Sequence, residues 1–344
     1  MKNQAEEIRS FILTQIPAHP GDIVAATATS FSVSRTTVHR HLKRLIKDKK
    51  IIKSGTTNRA VYFLFSSKNK IIKSEIKQGL EEYQIWADNL KQDFVSLNKN
   101  VFEICEYGFT EIFNNVIDHS EGSLIVVQTE WTDNAVRISI VDDGIGIFKK
   151  IKTALNLENE RESILQLSKG KFTTAPETHT GEGIFFTSRA FDEFSIRANG
   201  LSYHRLNRID DWFIETIKDK HEKGTLVSMK IGFASKRSLK NVFEAYTNPR
   251  TYQFDKTHIL VELSKLEDEN YISRSQAKRL LFGLEKFHDI VLDFKDIATV
   301  GQGFVDEVFR VFKQKYPTIK ITPINTSDDI QFMIIRGIAQ SNNS

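Results

Sequence analysis

From Ser123 to Asp143 the chain reads SLIVVQTEW, then Thr132-Asp133-Asn134, then AVRISIVDD. Two runs of alternating polarity around a three-residue turn are the pattern of an antiparallel hairpin with one buried face. Along the second run Val136, Ile138, Ile140 and Asp142 share parity. The spacing therefore predicts that Asp142 points into the core while Asp143 sides with Arg137 and Ser139. A carboxylate on the buried face costs several kcal/mol unless something pairs with it. DDGIGI follows at once, and Gly144 and Gly146 would let a flat ligand approach the backbone.

The preceding helix carries the same tension. In FTEIFNNVIDHS, residues 109–120, Phe109, Ile112, Phe113, Val116 and Ile117 fill one arc. Glu111, Asn115 and Asp118 fall within about 60° of one another on the opposite arc, flanked by Asn114 and His119. A solvated face normally uses Lys, Glu, Gln or Arg, because Asn and Asp compete with the backbone for hydrogen bonds. This face is read as presenting a carboxylate and an amide to a cavity. Downstream, Gly181 and Gly183 of HTGEGIFFTSRAFDEF precede a helix whose first amides form a natural phosphate site. KGTLVSMKI then places Gly224 and Thr225 before a strand. No G-x-x-x-x-G-K-[ST] loop exists, and neither glycine pair extends to G-x-G-x-x-G.

Taken in order, Glu111 and Asn115, VDDGIGI, TGEGIFF and KGTLVSMKI resemble the GHKL ATP-binding fold of histidine kinases, gyrase and the anti-sigma serine kinases. The resemblance implies that Asn115 coordinates Mg²⁺, that Asp142 accepts from the adenine amino group, and that Gly144 and Gly146 line the adenine pocket. It also implies that Gly181 and Gly183 cradle phosphates under a lid spanning roughly residues 148–180, that Thr225 backs the base, and that Glu111 is the general base for in-line attack. Only one G-x-G stands in the second glycine box, as in the anti-sigma kinases. Residues 73–98 contain no histidine, which argues against an autophosphorylating sensor kinase.

The N-terminal stretch points to a different partner. Between Val33 and Arg59 nine Lys or Arg face a single acid, Asp48, a local charge of +8 in a chain whose total is +4, so the remainder stands at −4. Such asymmetry fits a polyanion. Ile8, Phe11, Ile12, Leu13 and Ile16 predict a first helix ending before Pro17, and residues 21–30 a second. Ser34 is positioned to cap a third, SRTTVHRHLKRLIKDKK, with Val38, Leu42, Leu45 and Ile46 inward and Arg35, Thr36, His39, Arg40 and Lys43 outward. IIKSGTTNRAVYFLF completes the unit as two strands around a turn. Residues 1–67 resemble the winged helix-turn-helix family, which implies that the outward residues meet a DNA major groove.

Between Lys73 and Asn98 the apolar positions Ile76, Leu80, Tyr83, Ala87, Leu90, Phe94 and Leu97 step by four and three. A connecting helix over 68–97 is expected, serving either as a homodimer seam or as a helix lying on its own domain. Beyond the ATP-type region at 98–235, residues 250–340 alternate strand, helix, strand, helix, strand, which predicts parallel pairing with helical crossovers. They resemble the STAS-like fold of anti-sigma antagonists. Where that family carries a phosphorylated serine after a strand like LDF, this chain has TVGQGF, with Gln302 at the serine position and Thr299 nearby.

No run of about 18 apolar residues is present, so no membrane span is expected. The start, with Glu6, Glu7 and Arg9, is unlike an export signal, and the single Cys105 cannot form an internal disulfide, so a cytoplasmic setting fits. The expected architecture is multidomain α/β: a winged helix-turn-helix, a GHKL α/β sandwich and a STAS-like α/β domain. The expected function is a regulator in which Mg-ATP binding or slow hydrolysis controls DNA binding, with the STAS-like end as a surface for docking a protein partner or for self-contact. The alternatives are an anti-sigma-like serine/threonine protein kinase and a protein-interaction switch whose basic N-terminus binds protein rather than DNA.

Overall fold

Ile8, Ile12 and Ile16 recur every fourth residue, and in the computed structural model they lie on the inner face of α1 (Lys2–Gln15) and its C-terminal turn. The structure describes residues 2–16, 19, 22–54, 61–64, 68–172, 181–217, 223–265 and 273–341. α2 (Ile23–Phe31) ends where Ser32 takes the left-handed conformation. α3 (Arg35–Lys47) opens on Ser34, whose hydroxyl accepts from Thr37 N at 3.1 Å, a cap that satisfies one orphan donor of the first turn. Val38, Leu42 and Leu45 of α3 close a core with Ile23, Ile51 and Tyr62. β1 (Ile51–Ser54) and β2 (Val61–Leu64) pair antiparallel; the turn expected between them falls largely on residues outside the described ones.

The hairpin expected at 123–143 is present as β4 (Leu124–Trp131) and β5 (Ala135–Asp142), and it sits inside a larger sheet. In chain order that region contains β3 (Lys70–Glu75), α4 (Glu82–Ile85), a π-helical turn at Trp86–Leu90, α5 (Lys91–Phe94) and α6 (Lys99–His119). After the hairpin come α7 (Ile147–Leu155), α8 (Glu160–Lys169), α9 (Gly183–Ala190), β6 (Glu193–Ala198), β7 (Leu201–Leu206), β8 (Asp211–Thr216), β9 (Thr225–Gly232) and α10 (Leu239–Tyr246). The seven strands run in the order β3-β4-β5-β9-β6-β7-β8, antiparallel throughout. Ile125, Val127, Ile138, Ile140, Ile196 and Met229 are buried, with α6 packing over β5 and β9 and α9 over β6. The reverse face is a polar ladder in which Arg137 donates to Ser228 Oγ at 2.9 Å and Lys230 meets Glu193 at 2.7 Å, as a one-sided antiparallel sheet allows.

Two expectations are corrected here. Residues 68–97 are not one connecting helix. KIIKSE forms the edge strand β3, paired with β4, and the helical stretch starts only at Glu82. Leu90 and Phe94 are fully buried, with Trp86 between the rings of Phe94 and Phe109 at 5.0 and 5.2 Å. The apolar stripe is thus consumed by the chain's own core, whereas Tyr83 is 64% exposed. Nor is 148–180 one lid. Residues up to Lys169 form α7 and α8, and every α8 position from Glu162 to Lys169 is buried; residues 173–180 lie outside the described ones.

The C-terminal region contains β10 (Lys256–Leu260), a 3₁₀ turn at Val261–Ser264, α11 (Arg274–Leu281) and a second 3₁₀ turn at Leu284–Lys286. β11 (Asp289–Asp293), α12 (Gln302–Val305), a π-helical stretch Asp306–Phe312, α13 (Lys313–Lys315), β12 (Lys320–Ile324) and α14 (Asp328–Ser341) complete it. The three strands pair in parallel in the order β10-β11-β12, as the alternation of strand and helix predicts. Its apolar interior is continuous with that of the central region, running from Trp86 to Ile334, while the N-terminal unit keeps its own core. α8 packs against α7, α9 and β7 as well as β10 and the 261–264 turn, so it lies where the two regions meet.

Candidate functional site

Period-two alternation along β5 carries Asp142 to the buried face, where it is 5% exposed and opens onto a pocket beside α6. Its Oδ1 accepts from Gly144 N at 2.8 Å, and Thr225 donates to it from both backbone and hydroxyl. Burial pushes the Asp142 carboxyl up, those donors pull it back, and the charge of Asp143 pushes it further; no cation contributes. Asp143 points the other way and accepts from Ser123 N, Ser123 Oγ and Leu124 N at 2.7, 2.7 and 2.9 Å, which hold it down to about 2. Two adjacent acids thus have opposite roles: Asp143 ties the hairpin base, and Asp142 faces the cavity.

The cavity holds about 1040 Å³ of space free of protein atoms, including its open mouth. Glu111 and Asn115 of α6 line it, together with Gly181, Glu182 and Gly183 at the start of α9. A Cβ on Gly183 would lie 2.0 Å from Glu111 Oε2, so the carboxylate rests against the first turn of α9 because that residue has no side chain. Asn115 Nδ2 is buried without a hydrogen-bond partner, an orphaned polar atom on the pocket wall. Burial pushes the Glu182 carboxyl up, and the charges of Glu111 and Glu182 add to burial in raising the Tyr107 phenol.

The structure brings Glu111, Asn115, Asp142, Gly146, Gly181, Gly183 and Thr225 around one cavity. Gly144 is not on its wall: a Cβ there would meet the Ser120 carbonyl oxygen at 2.0 Å, so its glycine character serves a backbone approach within the protein. Gly146, at φ +84°, packs against the Asn199 amide, which donates to Ile145 O and accepts from Lys149 N. Asn114 and Asp118 stay outside the cavity. Sequence reasoning missed Lys150, which lines it with Nζ 3.0 Å from Glu121; the i, i+3, i+4 spacing of Ile147, Lys150 and Ile151 on α7 was the available signal. In the N-terminal unit Arg35, Thr36, His39, Arg40 and Lys43 are all exposed on one side of α3, opposite its buried stripe.

The pocket's backbone is tightly specified. Gly224 sits at φ +80°, and a Cβ on it would fall 1.8 Å from Asp142 O. Gly79 has φ +81° with nothing within 4 Å. Gly79→Ala is expected to cost about 1–2 kcal/mol for the left-handed backbone alone. Gly224→Ala adds an overlap worth about 1–3 kcal/mol more. Urea midpoints of the two variants should differ in that order, and equal midpoints would mean that the Gly224–Asp142 contact relaxes freely.

A family profile for a STAS-like domain of unknown function matches residues 276–331, from within α11 to within α14. No curated protein matches the chain in sequence. No described helix is long and apolar enough to cross a membrane.

Proposed function

We propose that this chain is a Mg-ATP-binding, DNA-binding regulator, with a GHKL-type ATP site in the central region, a winged helix-turn-helix at the N-terminus and the STAS-like domain as a protein-docking element. The observation that carries the ATP reading is Asp142, a buried acid that faces a cavity with backbone and hydroxyl donors behind it and no cation among the groups that shift it. Evolution of a merely structural core would favour an apolar residue there, because an ionised carboxylate is costly to bury. With three protein donors already on it, the carboxylate has acceptor capacity for one more, and an exocyclic amine such as that of adenine would supply that donor from the cavity side.

At the other end the wall carries Glu111 and Glu182 against Lys150, whose ammonium is paired with Glu121, so a polyphosphate there would be met best with a cation between itself and the two carboxylates. Among the described residues no cluster of three or more His, Cys, Asp or Glu side chains is built to hold a metal alone. That suits Mg²⁺, which takes one or two protein ligands and fills its shell with phosphate and water. Asn115, whose amide nitrogen has no hydrogen-bond partner and whose amide orientation can reverse, would offer its oxygen. Glu111 then orients the nucleophile, either water or a hydroxyl of a partner protein.

Residues 65–69 alone separate β2 of the N-terminal unit from β3, the edge strand of the sheet that carries Asp142. Lys68 O accepts from Thr129 Oγ1 at 2.9 Å, and Asn69 Oδ1 accepts from Trp131 N at 2.7 Å, so the chain is anchored directly before β3, while residues 65–67 lie outside the described ones. A short, anchored connection is the means by which the pocket would influence the DNA-facing helix.

The test is the thermal midpoint with ATP, with and without Mg²⁺, combined with turnover of Glu111→Gln. Mg-ATP at about 100 times its dissociation constant should stabilise the protein by ~2.7 kcal/mol. Chelation should remove most of that gain, and Glu111→Gln should retain it while losing about 10²–10⁴-fold in turnover. A midpoint indifferent to Mg-ATP would sink the ATP reading. Passage of the γ-phosphate label to a protein rather than to water would favour the second reading, a serine/threonine kinase of the anti-sigma type.

A further inference from the structure

Residues 167–172 face two ways. Leu167, Gly170 and Phe172 line the central cavity. Lys169 and Lys171 instead reach the C-terminal region. Lys169, 2% exposed, directs its three donors to Gln166 Oε1 at 3.2 Å, Arg279 O at 3.1 Å and Phe282 O at 2.8 Å. The last two are carbonyls at the C-terminal end of α11, where a cation complements the helix dipole. Lys169 O accepts in turn from Thr257 Oγ1 of β10 at 2.8 Å. Lys171 Nζ donates to Lys286 O at 2.7 Å and lies 4.6 Å from the Phe287 ring and 5.5 Å from that of Phe254. Gly170, at φ +79°, completes the clamp: a Cβ there would sit 2.6 Å from the Phe254 ring.

We infer that Lys169 and Lys171 are positioning residues through which the STAS-like end of the chain sets the affinity of the central cavity for Mg-ATP, by fixing the wall at Gly170 and Phe172. This rests on the nucleotide reading of the cavity. Ser168 O accepts from Arg189 Nη2 at 3.3 Å, Lys169 and Lys171 are held by the C-terminal contacts above, and Gly170 between them donates from its N to Leu167 O at 3.3 Å. Moving the end of α11 or the 284–286 turn therefore moves the lysines, and moving the lysines moves Gly170 and Phe172 on the cavity wall. Coupling of this kind is reciprocal, so the nucleotide must in turn restrain the segment from Arg279 to Lys286. Burial holds Lys169 down to about 7, while the charges of Glu285 and Glu162 favour the ammonium against that burial.

Lys171, which is only half-buried, is the residue to change first. In the full-length chain Lys171→Met is expected to bind Mg-ATP about 10-fold more weakly. Lys171→Arg, which keeps a donor for Lys286 O and stacks on the same rings, should recover most of that loss. Amide exchange at residues 279–286 should slow when Mg-ATP is added to the wild type and not when it is added to Lys171→Met. A general loss of stability would lower the midpoint of both variants without restoring binding in one of them. Wild-type protein that binds Mg-ATP, with Lys171→Met and Lys169→Met binding within two-fold of it and exchange at 279–286 unmoved, overturns this inference alone. Wild-type protein that binds no Mg-ATP overturns the nucleotide reading and this inference with it.

Discussion

Asp142→Asn should leave the unliganded protein as stable as the wild type or more so, while removing its response to Mg-ATP. Burial raises the Asp142 carboxyl above its ordinary value in the folded chain. For an acid shifted upward, the unfolded chain ionises first as pH rises, so stability falls from the ordinary carboxyl range up to the folded value. At neutral pH the folded protein therefore carries the cost of an acid it would fold better without. Asparagine removes the ionisable group and keeps one oxygen for Gly144 N and Thr225 N to share, while the Thr225 hydroxyl turns to accept from the new amide, and each kcal/mol recovered would raise the thermal midpoint by about 2–4 °C. Against an exocyclic amine the same change sets donor against donor, at about 1–3 kcal/mol. With affinity about 100-fold lower, a ligand concentration that gave the wild type ~2.7 kcal/mol would give the variant only about 0.4 kcal/mol. Scanning calorimetry with and without Mg-ATP reads both effects. A variant that melts lower and still responds to nucleotide would make Asp142 a structural acid and remove the basis for a purine site.

Local periodicity carried the parts of this fold that depend on near neighbours. Ile138 and Ile140 gave Asp142 its direction, and Ile112, Phe113 and Val116 gave Glu111 and Asn115 theirs, because burial of one face decides the other. What depends on distant contacts was not visible in the same way. The three-and-four stepping from Ile76 to Leu97 is real, and Leu90 and Phe94 are buried by it, but its first part continues a strand whose partner β4 lies some fifty residues later. Pairing of Ile72 with Val127 outweighs helical propensity there. ERESILQLSK has a polar composition and reads as part of a lid. It is buried because Lys169 finds carbonyls on α11 and Ser163 Oγ donates to Phe148 O at 2.8 Å, partners that no window of sequence contains. Gly144 and Gly224 were legible as glycines, while the carbonyls of Ser120 and Asp142 that require them were not.

Duplex DNA should bind the chain with an affinity that collapses as salt rises, by about 10³-fold or more between 50 and 200 mM if six or more phosphates are neutralised. On α3 the buried stripe of Val38, Leu42 and Leu45 fixes which side faces solvent, and that side carries Arg35, Arg40 and Lys43 exposed. Each phosphate contact removed should lower the salt slope by about 0.9, so Lys43→Gln should reduce it by about one unit for any sequence. Arg44 provides the internal control. It is equally basic and exposed, but its Nε is tied to Asp48 Oδ2 at 2.9 Å, so Arg44→Gln should change the slope less. Thr36 and His39 carry the hydrogen-bonding groups that read base edges, and their loss should alter which sequence is preferred more than the slope. If the pocket governs this helix through residues 65–69, Mg-ATP will shift duplex affinity in the wild type, and Asp142→Asn will abolish the shift while keeping the salt slope. Affinity that ignores ionic strength, or falls equally for Lys43→Gln and Arg44→Gln, would point instead to a protein partner for the basic N-terminus.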